Sequence, residues 1–344
     1  MNERHEVTWQ LAEVYSPSKG LAISVIAAKD IPYKSNANRM QNLNIYLPKT
    51  EKTEKLVGTS ATSLPVSSTE PTLPQTQVHI HGGAWRDPVL TSISIEATVA
   101  HTFSAKDVTN PITAIVSMNY TLSPFPTHPT MPYDPTKGDN SDPAREGYHP
   151  MNISDVLHGF DLLRLMGLTD GSYILTGHSA GACLSCQATL QSPAHWGVED
   201  VADPPRPAAF LGLNGLYHLP ELVHGLGPKH ENLKDVYEDF LSITFDKDQT
   251  KWPAASPAQF DLAEISKRVQ EGKAPQFVVL DQSTEDQLVP MNQMETMKAH
   301  LEQVGEMKVV QGQRNTGLHA APWLEGLMIW EGVQDVLKML KDDE

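Results

Sequence analysis

The chain has 344 residues, of which 40% are apolar, and a formal net charge of −16. A chain of this length can bury one large core, so we expect a single domain over residues 1–344, with a domain plus a small appendage as the alternative. The acidic excess argues against nucleic-acid and anionic-membrane surfaces, because both require basic patches. The N-terminal stretch has no basic segment followed by an apolar one, and no later stretch is apolar enough to span a bilayer. We therefore predict a cytoplasmic protein.

Short apolar, β-rich runs alternate with helical patterns along the chain, which is typical of an α/β sheet. From the third run onward the runs are almost continuously apolar, as expected of strands that helices cover on both faces. The predicted class is α/β, with a mostly parallel central sheet of about eight strands. The predicted strands begin at Leu21, Leu43, Gln77, Ile112, Ser172, Ala208, Gln276 and Met307. The predicted helices are one that begins at Pro150 and others over residues 94–105, 180–191, 230–243, 260–271, 291–304 and 323–341.

Two stretches interrupt this alternation. Residues 50–76 are rich in serine, threonine and proline, and the composition predicts a mobile surface loop. Residues 123–150 are dense in proline and turn-forming residues, and we expect an ordered excursion near one end of the sheet. Strands of the same predicted sheet lie on both sides of each stretch, so neither is a domain linker.

The two cysteines, Cys183 and Cys186, have the C-x-x-C spacing of a redox pair. They lie in AGACLSCQATL, a small-residue helical pattern without the surroundings of a redox site. The pattern favours buried helix thiols over a redox pair.

The most explicit chemistry lies in YILTGHSAGACLS, where residues 177–181 form G-x-S-x-G. An apolar strand precedes the motif and a small-residue helix follows it, which is the context of a strained turn that exposes a serine hydroxyl. Glycines on both sides permit such a turn, and the N-terminus of the following helix faces developing negative charge. We predict that Ser179 is a catalytic nucleophile rather than part of a structural turn.

A serine nucleophile needs a base, and in this class of hydrolase the chain order is serine, acid, histidine. Of the fourteen histidines, only His300 and His319 follow the strand expected to carry the acid. His300 lies in a helical run, whereas His319 lies in GQRNTGLHAAPW, a loop between the last strand and the last helix. His319 is the predicted base, and a loop-structural histidine is the alternative.

The acid is expected in FVVLDQSTEDQLVP, which offers Asp281, Glu285 and Asp286. Asp281 lies at the strand end, too early for this role, whereas Asp286 is followed by QLVP, which turns into the next helix. Asp286 is the predicted acid that orients His319, with Glu285 as a competitor. A solvated loop carboxylate is the structural alternative.

The sequence HIHGGAW places two glycines directly after the third predicted strand. Glycines let the main chain approach a tetrahedral intermediate closely, so we assign the N–H groups of Gly82, Gly83 and Ala180 to an oxyanion hole. His79 and His81 alternate on one strand face and raise the question of zinc. No third cluster has metal-site spacing, so His81 is interpreted as fixing the loop and His79 as a strand residue. We predict no metal and no cofactor.

Several motifs together carry a resemblance to a known family. HGGAW, MNYTLSP followed by HPMNISDV, TGHSAGA, WPAASP and DQLVP occur in this order. The set resembles the esterase and lipase branch of the α/β-hydrolase fold, and HGGAWRDP is particularly similar to the fungal kynurenine formamidases, or arylformamidases. The resemblance covers residues 33–340. Thr121 stands where many relatives have arginine, and an insertion before His149 lengthens the chain in front of the nucleophile.

The resemblance implies hydrolysis of N-formyl-L-kynurenine to L-kynurenine and formate, a step of tryptophan breakdown, and it also implies a homodimer. A small cap is expected over residues 215–257. The aromatic substrate needs a flat apolar wall, for which Trp85 is the candidate, with core packing as an equal alternative. Trp252 is more consistent with core packing. The partner of the substrate carboxylate stays unassigned, because Arg86 is only adjacent to the motif.

Two other functions stay open at the level of sequence. A general carboxylesterase of the same fold has the same nucleophile motif. A hydrolase-like binding protein keeps the pocket without turnover, but such proteins commonly lose a member of the triad, and all three members are present here. Substrate comparison on the purified protein separates the three functions.

Overall fold

The protein is described by a computed structural model that covers residues 6–65, 73–104 and 110–343. Within these ranges, one sheet contains nine strands. The strands are β1 (Gln10–Ser16), β2 (Leu21–Pro32), β3 (Asn42–Pro48), β4 (Thr76–Ile80), β5 (Ala114–Met118), β6 (Tyr173–His178), β7 (Ala209–Leu213), β8 (Phe277–Asp281) and β9 (Lys308–Gln311).

The spatial order of the strands is β1-β2-β3-β5-β4-β6-β7-β8-β9. β1, β2, β3 and β5 pair in antiparallel fashion, and all pairings from β5 through β9 are parallel. The predicted α/β class with a mostly parallel sheet is confirmed. Every residue of β4 to β8 is buried, which explains why apolar residues predominate in most of these runs.

Helices cover both faces of the sheet. Ile115 and Ile174 belong to a hydrophobic cluster with the helices over residues 96–104 and 327–342. Val116 and Leu175 belong to a second cluster on the other face, with the helices over residues 151–165, 180–190, 262–270 and 292–301. The helices are α1 (Glu51–Glu54), α2 (Glu96–Ser104), α3 (Met151–Leu165), α4 (Ala180–Leu190), α5 (Glu221–His224), α6 (Lys234–Thr244), α7 (Trp252–Ala255), α8 (Leu262–Gln270), α9 (Asn292–Leu301), α10 (Ala321–Glu325) and α11 (Leu327–Asp342). Short 3₁₀ helices lie at Pro17–Lys19, Ser92–Ile95, Pro135–Lys137, Pro143–Arg145, Pro193–Trp196, Glu231–Leu233, Gln249–Lys251 and Pro257–Gln259.

The fold differs from the predicted elements at β1, at the last helix and at the short helices α5 and α7. β1 was not predicted, because Leu11 and Tyr15 are exposed on this edge strand and its apolar residues do not mark one face. The helix predicted over residues 323–341 is divided at Gly326, which has a φ of 73°. A Cβ at this glycine would lie 2.2 Å from the carbonyl carbon of Ala97, so a close approach to α2 requires the break.

The segments that interrupt the sheet pattern have local structure. Within the loop predicted over residues 50–76, Thr50 caps α1 through a capping box with Thr53, and residues 66–72 lie outside the described part of the chain. Residues 215–257, expected to form the cap, contain α5, α6 and α7 between β7 and β8.

The two cysteines lie on α4, which is buried along its whole length. Cys183 and Cys186 are free thiols, and burial raises the pKa of both thiols. Thiols held in the protonated form are poor nucleophiles, which agrees with the interpretation of buried helix thiols. Among the described residues, no helix combines the length and apolarity needed to cross a bilayer.

Candidate active site

Ser179 occupies a strained turn between β6 and α4. Its φ of 54° and ψ of −122° lie outside the regions that side-chain-bearing residues prefer. The turn requires glycine on both sides, because a Cβ there would overlap neighbouring atoms. A Cβ on Gly181 would lie 2.1 Å from the carbonyl oxygen of Ile80, and a Cβ on Gly177 would lie 2.6 Å from Ser185 Oγ. The geometry is that of a nucleophile elbow at the carboxyl end of a parallel strand.

The loops after β8 and β9 bring Asp286 and His319 together. The His319 Nδ1 atom lies 2.8 Å from Asp286 Oδ2, and both residues are buried. A carboxylate only accepts hydrogen bonds, so Nδ1 of the neutral imidazole carries the proton and donates it. Nε2 then carries the lone pair that a general base requires.

The Asp286 carboxylate is held by three further hydrogen bonds. The backbone N–H groups of Leu288 and Val289 donate to Oδ1 at 2.7 and 2.9 Å, and Gln282 Nε2 donates to Oδ2 at 3.1 Å. The backbone N–H of His319 donates to Gln287 Oε1 at 2.9 Å, which fixes the other end of the pair. These contacts hold the carboxylate in one orientation toward the imidazole.

The two other carboxylates of this region have different partners. Glu285 Oε2 accepts a hydrogen bond from the backbone N–H of Gly317 at 2.9 Å. Asp281 Oδ2 accepts from the backbone N–H groups of Arg314 and Asn315, and burial raises the pKa of this carboxyl. Of the three acids considered from the sequence, Asp286 is therefore the one in contact with the His319 ring.

The residues predicted for the oxyanion hole lie beside Ser179. A Cβ on Gly82 would lie 3.0 Å from the Ser179 Cβ, so the main chain after β4 approaches the serine closely. Within the described residues, the backbone N–H groups of Gly82, Gly83 and Ala180 donate to no protein acceptor. Unpaired N–H groups next to the serine are what an oxyanion requires.

A cavity of about 260 Å³ opens over Ser179 and His319. This volume is close to the lower end of the range for small-molecule sites, about 300 Å³, so it suits a compact ligand. Its walls are mainly apolar and come from the loop after β4, the segment around Phe125, the cap segment and the loops after β8 and β9. The apolar and aromatic residues of the wall are Leu90, Phe125, Leu216, Leu233, Val236, Tyr237, Phe240, Leu288, Val289 and Trp323.

Trp85 does not line this cavity, which corrects the prediction that it forms the substrate wall. Its side chain is 1% exposed, and its ring packs 4.9 Å from the Phe245 ring and 6.1 Å from the Phe240 ring, measured between centroids. Trp85 has a φ of 58°, in the left-handed region. Trp85 therefore lies where its alternative role, core packing, would place it, behind the residues that line the cavity. Trp252 is also fully buried.

Sequence reasoning did not identify the aromatic residues that do form the wall. Tyr237 and Phe240 lie on α6, and the Tyr237 hydroxyl donates to the carbonyl of Leu288 at 2.5 Å, which fixes the helix over the acid loop. The only sequence signal was the position of this helix inside the predicted cap. Phe125 comes from the proline-rich excursion, and an isolated antiparallel bridge pairs it with Tyr133.

Comparison of sequences confirms the resemblance to the fungal formamidases. The chain is 28% identical over 316 residues to a kynurenine formamidase-like hydrolase of Fusarium equiseti, covering 91% of this chain and 95% of that protein. It is 26% identical over 254 residues to a kynurenine formamidase of Aspergillus versicolor, covering 72% and 82% of the two chains. No family model matches the sequence.

Comparison of structures gives the fold. A carbohydrate esterase from gut microbiota superposes with a TM-score of 0.55 at 15% identity, over 92% of this chain and 95% of that one. Esterase B of Lactobacillus rhamnosus also superposes with a TM-score of 0.55, at 17% identity, over 98% and 85% of the two chains. The chain therefore has the α/β-hydrolase fold, and its similarity to the two fungal proteins supports a hydrolase.

Three buried histidines, His79, His81 and His178, lie close to one another near the candidate active site. Burial lowers the pKa of His79 to about 3 and that of His81 to about 4, and it holds the pKa of His178 well below its usual value, with His319 as the next cause. His81 stacks on Tyr120, whose hydroxyl donates to the carbonyl of Gly82 at 2.9 Å. His81 therefore lies in the position of the loop-fixing residue inferred from the sequence.

His178 connects the elbow of the hydrolase to the histidine loop. Its Nε2–H donates to the carbonyl oxygen of His319 at 2.9 Å, and the two rings lie 4.7 Å apart. This contact positions the loop relative to Ser179. Within the described residues, no group of three or more His, Cys, Asp or Glu side chains is arranged to hold a metal ion.

The neutral histidines predict that acid destabilises the hydrolase. Their pKa values are lower in the folded chain than in the unfolded chain, so protons bind preferentially to the unfolded chain as the pH falls below about 6.5. Each group is expected to remove about 1.3 kcal/mol from the free energy of unfolding between pH 7.5 and 5.5, or about 4 kcal/mol for the three. Burial also lowers the pKa of His149 to about 4, so this histidine adds a similar contribution. Denaturant unfolding at the two pH values measures the sum.

The matched variants are His79→Gln and, on the surface, His224→Gln. The first is expected to reduce the pH difference by about 1.3 kcal/mol, because one buried titrating group is lost. The second is expected to leave it unchanged, since His224 is exposed. A free energy of unfolding that is equal at pH 7.5 and 5.5 would contradict the prediction.

Proposed function

We propose that the chain hydrolyses N-formyl-L-kynurenine to L-kynurenine and formate, with Ser179 as nucleophile, His319 as base and Asp286 as the acid that orients it. One observation carries the proposal: Ser179 and His319 line the same cavity, and the His319 ring lies 2.8 Å from a buried carboxylate. The similarity to a protein named kynurenine formamidase and to one named kynurenine formamidase-like hydrolase supports the formamide as substrate.

In the first half of the reaction, the Ser179 Oγ attacks the formyl carbon while His319 Nε2 removes the hydroxyl proton. The carbonyl oxygen becomes an oxyanion, which the N–H groups of Gly82, Gly83 and Ala180 would stabilise. The C–N bond then breaks, and His319 returns the proton to the departing aryl amine. L-Kynurenine leaves, and a formyl ester remains on Ser179.

In the second half, water attacks the formyl ester. His319 removes a proton from the water, and a second oxyanion forms in the same place. The bond between Ser179 Oγ and the formyl carbon breaks, and the serine recovers its proton from His319. Formate leaves, and the free enzyme is restored without any cofactor.

The direct test is to supply purified protein with N-formyl-L-kynurenine and to follow L-kynurenine by its absorbance. Short p-nitrophenyl esters are assayed in parallel. We expect saturable formation of L-kynurenine. Efficient ester hydrolysis without any L-kynurenine would instead favour the second candidate function, a general carboxylesterase.

The carboxylesterase has one observation in its favour, the superposition on solved esterases over nearly the whole chain. A third outcome, saturable ligand binding without turnover of either substrate, would favour the binding protein. Each of the three functions therefore predicts a different pattern across the two substrates.

A further inference from the structure

We propose that Arg86 and Asp87 form the subsite that binds the α-amino-acid end of the substrate, with Arg86 on the carboxylate and Asp87 on the ammonium group. The proposal rests on the proposed function and deepens it, because it specifies the substrate as an aryl formamide that carries a zwitterion. Both residues line the cavity above Ser179. Arg86 is the one residue in that lining with a permanent positive charge.

The Arg86 guanidinium is held in a built site rather than on a flexible surface. Arg86 is 3% exposed, and its guanidinium carbon lies 3.9 Å from the Phe125 ring centroid and 5.6 Å from the Phe240 ring centroid. Both rings line the cavity. Stacking between aromatic faces fixes the plane of a guanidinium, so its remaining N–H groups point in set directions.

The ion pair with Asp239 uses only part of the hydrogen-bonding capacity of the Arg86 guanidinium. One of its terminal nitrogens donates to Asp239 Oδ2 at 2.5 Å, but the Asp239 side chain is 43% exposed and its charge is screened by water. The other guanidinium N–H groups donate to no acceptor within the described residues. A buried cation with unused donors is stabilised by a second anion, and a carboxylate matches the planar fork.

Asp87 places a negative charge next to this cation. Its Oδ1 accepts a hydrogen bond from the backbone N–H of Val89 at 2.9 Å and lies 3.5 Å from His128 Nε2. Oδ2 has no hydrogen-bond donor in the described part of the chain. A simple anion would be repelled by Asp87 and a simple cation by Arg86, so the pair selects a ligand with both charges.

The pair is attached to the catalytic loop. The backbone N–H groups of Arg86 and Asp87 both donate to the carbonyl of Gly83 at 2.9 Å, which makes a tight turn directly after the predicted oxyanion residues. A substrate held by this pair is anchored by groups that are a few residues from the reacting centre. Binding at this point would orient the formyl group toward Ser179.

The test is a binding cycle in the Ser179→Ala background, which separates recognition from turnover. The two ligands are L-kynurenine and kynuramine, which lacks the carboxylate. The two proteins are the Ser179→Ala variant and the double variant that also carries Arg86→Gln. We expect loss of the carboxylate and loss of Arg86 each to weaken binding roughly 30-fold, as for a charged hydrogen bond, with little further loss when both are removed.

Arg268→Gln is the matched control, because Arg268 is also a buried arginine whose guanidinium donates to an aspartate, Asp203, at 2.8 Å, but it lies outside the cavity. When Arg268→Gln is added to the Ser179→Ala protein, we expect the ratio of the affinities for L-kynurenine and kynuramine to stay unchanged. Asp87→Asn is expected to reduce the advantage of L-kynurenine over 4-(2-aminophenyl)-4-oxobutanoate, which lacks the ammonium group.

Two results would overturn the subsite. One is equal affinity of the Ser179→Ala protein for L-kynurenine and kynuramine. The other is that Arg86→Gln weakens the binding of both ligands by the same factor, which indicates a purely structural arginine. Failure of the proposed function gives a different pattern: the wild-type protein makes no L-kynurenine, while binding still depends on the carboxylate and on Arg86. The inference is then retained as a zwitterion site.

Discussion

Replacing Ser179 with alanine is expected to lower kcat for formation of L-kynurenine by at least about 10⁴-fold, because no other group near His319 can form the covalent ester. The folded structure should persist. Ser179 Oγ makes no hydrogen bond to protein within the described residues, and the strained turn is set by the close approach of Gly181 to Ile80. The measurement is kcat on N-formyl-L-kynurenine together with the thermal midpoint.

Ser185→Ala is the matched control for this variant. Ser185 lies on α4, the helix that follows Ser179, and is buried, but its hydroxyl donates to the carbonyl of Gly181 at 2.8 Å and does not line the cavity. We expect it to lose some stability and to keep its kcat within a few-fold, as for removal of one buried hydrogen bond. Equal kcat for Ser179→Ala and the wild-type protein would exclude the serine mechanism.

The second large effect is expected for Asp286→Asn. An asparagine can still accept from the backbone N–H groups of Leu288 and Val289, but it presents an amide donor to His319 Nδ1. The imidazole is then stabilised as the opposite tautomer, with its proton on Nε2, where it cannot remove the Ser179 proton. We expect kcat to fall by roughly 10³- to 10⁴-fold, the effect of the equivalent change in serine proteases.

Glu285→Gln separates the two acids that the sequence left open. Glu285 contacts the backbone N–H of Gly317, and a glutamine carbonyl accepts the same hydrogen bond. We expect kcat to change by about threefold or less, because the His319 ring keeps its partner. If Glu285→Gln and not Asp286→Asn removed the activity, the proposed assignment of the acid would be wrong. Steady-state kinetics of both variants decide the matter.

The strands that position the site were predictable because periodicity and burial are local properties. Eight of the nine strands coincide with predicted apolar runs in the sequence. The remaining strand, β1, was not predicted because it lies at the edge of the sheet. An edge strand is covered on fewer sides, so its apolar residues do not form the continuous run that marks a buried parallel strand. Local periodicity also does not predict the division of the last helix at Gly326, because this division depends on the close packing of Gly326 against α2.

By itself, the sequence determined the fold class, the elbow around Ser179 and the loop that carries His319, since these depend on residue type and chain order. Only the tertiary structure decided that Asp286 rather than Glu285 faces the imidazole, that Trp85 lies behind the wall, and that Arg86 meets Asp239, 153 residues away. The reason is physical. The direction of a loop side chain is set by the elements packed around it, and the period of its own sequence does not encode that direction.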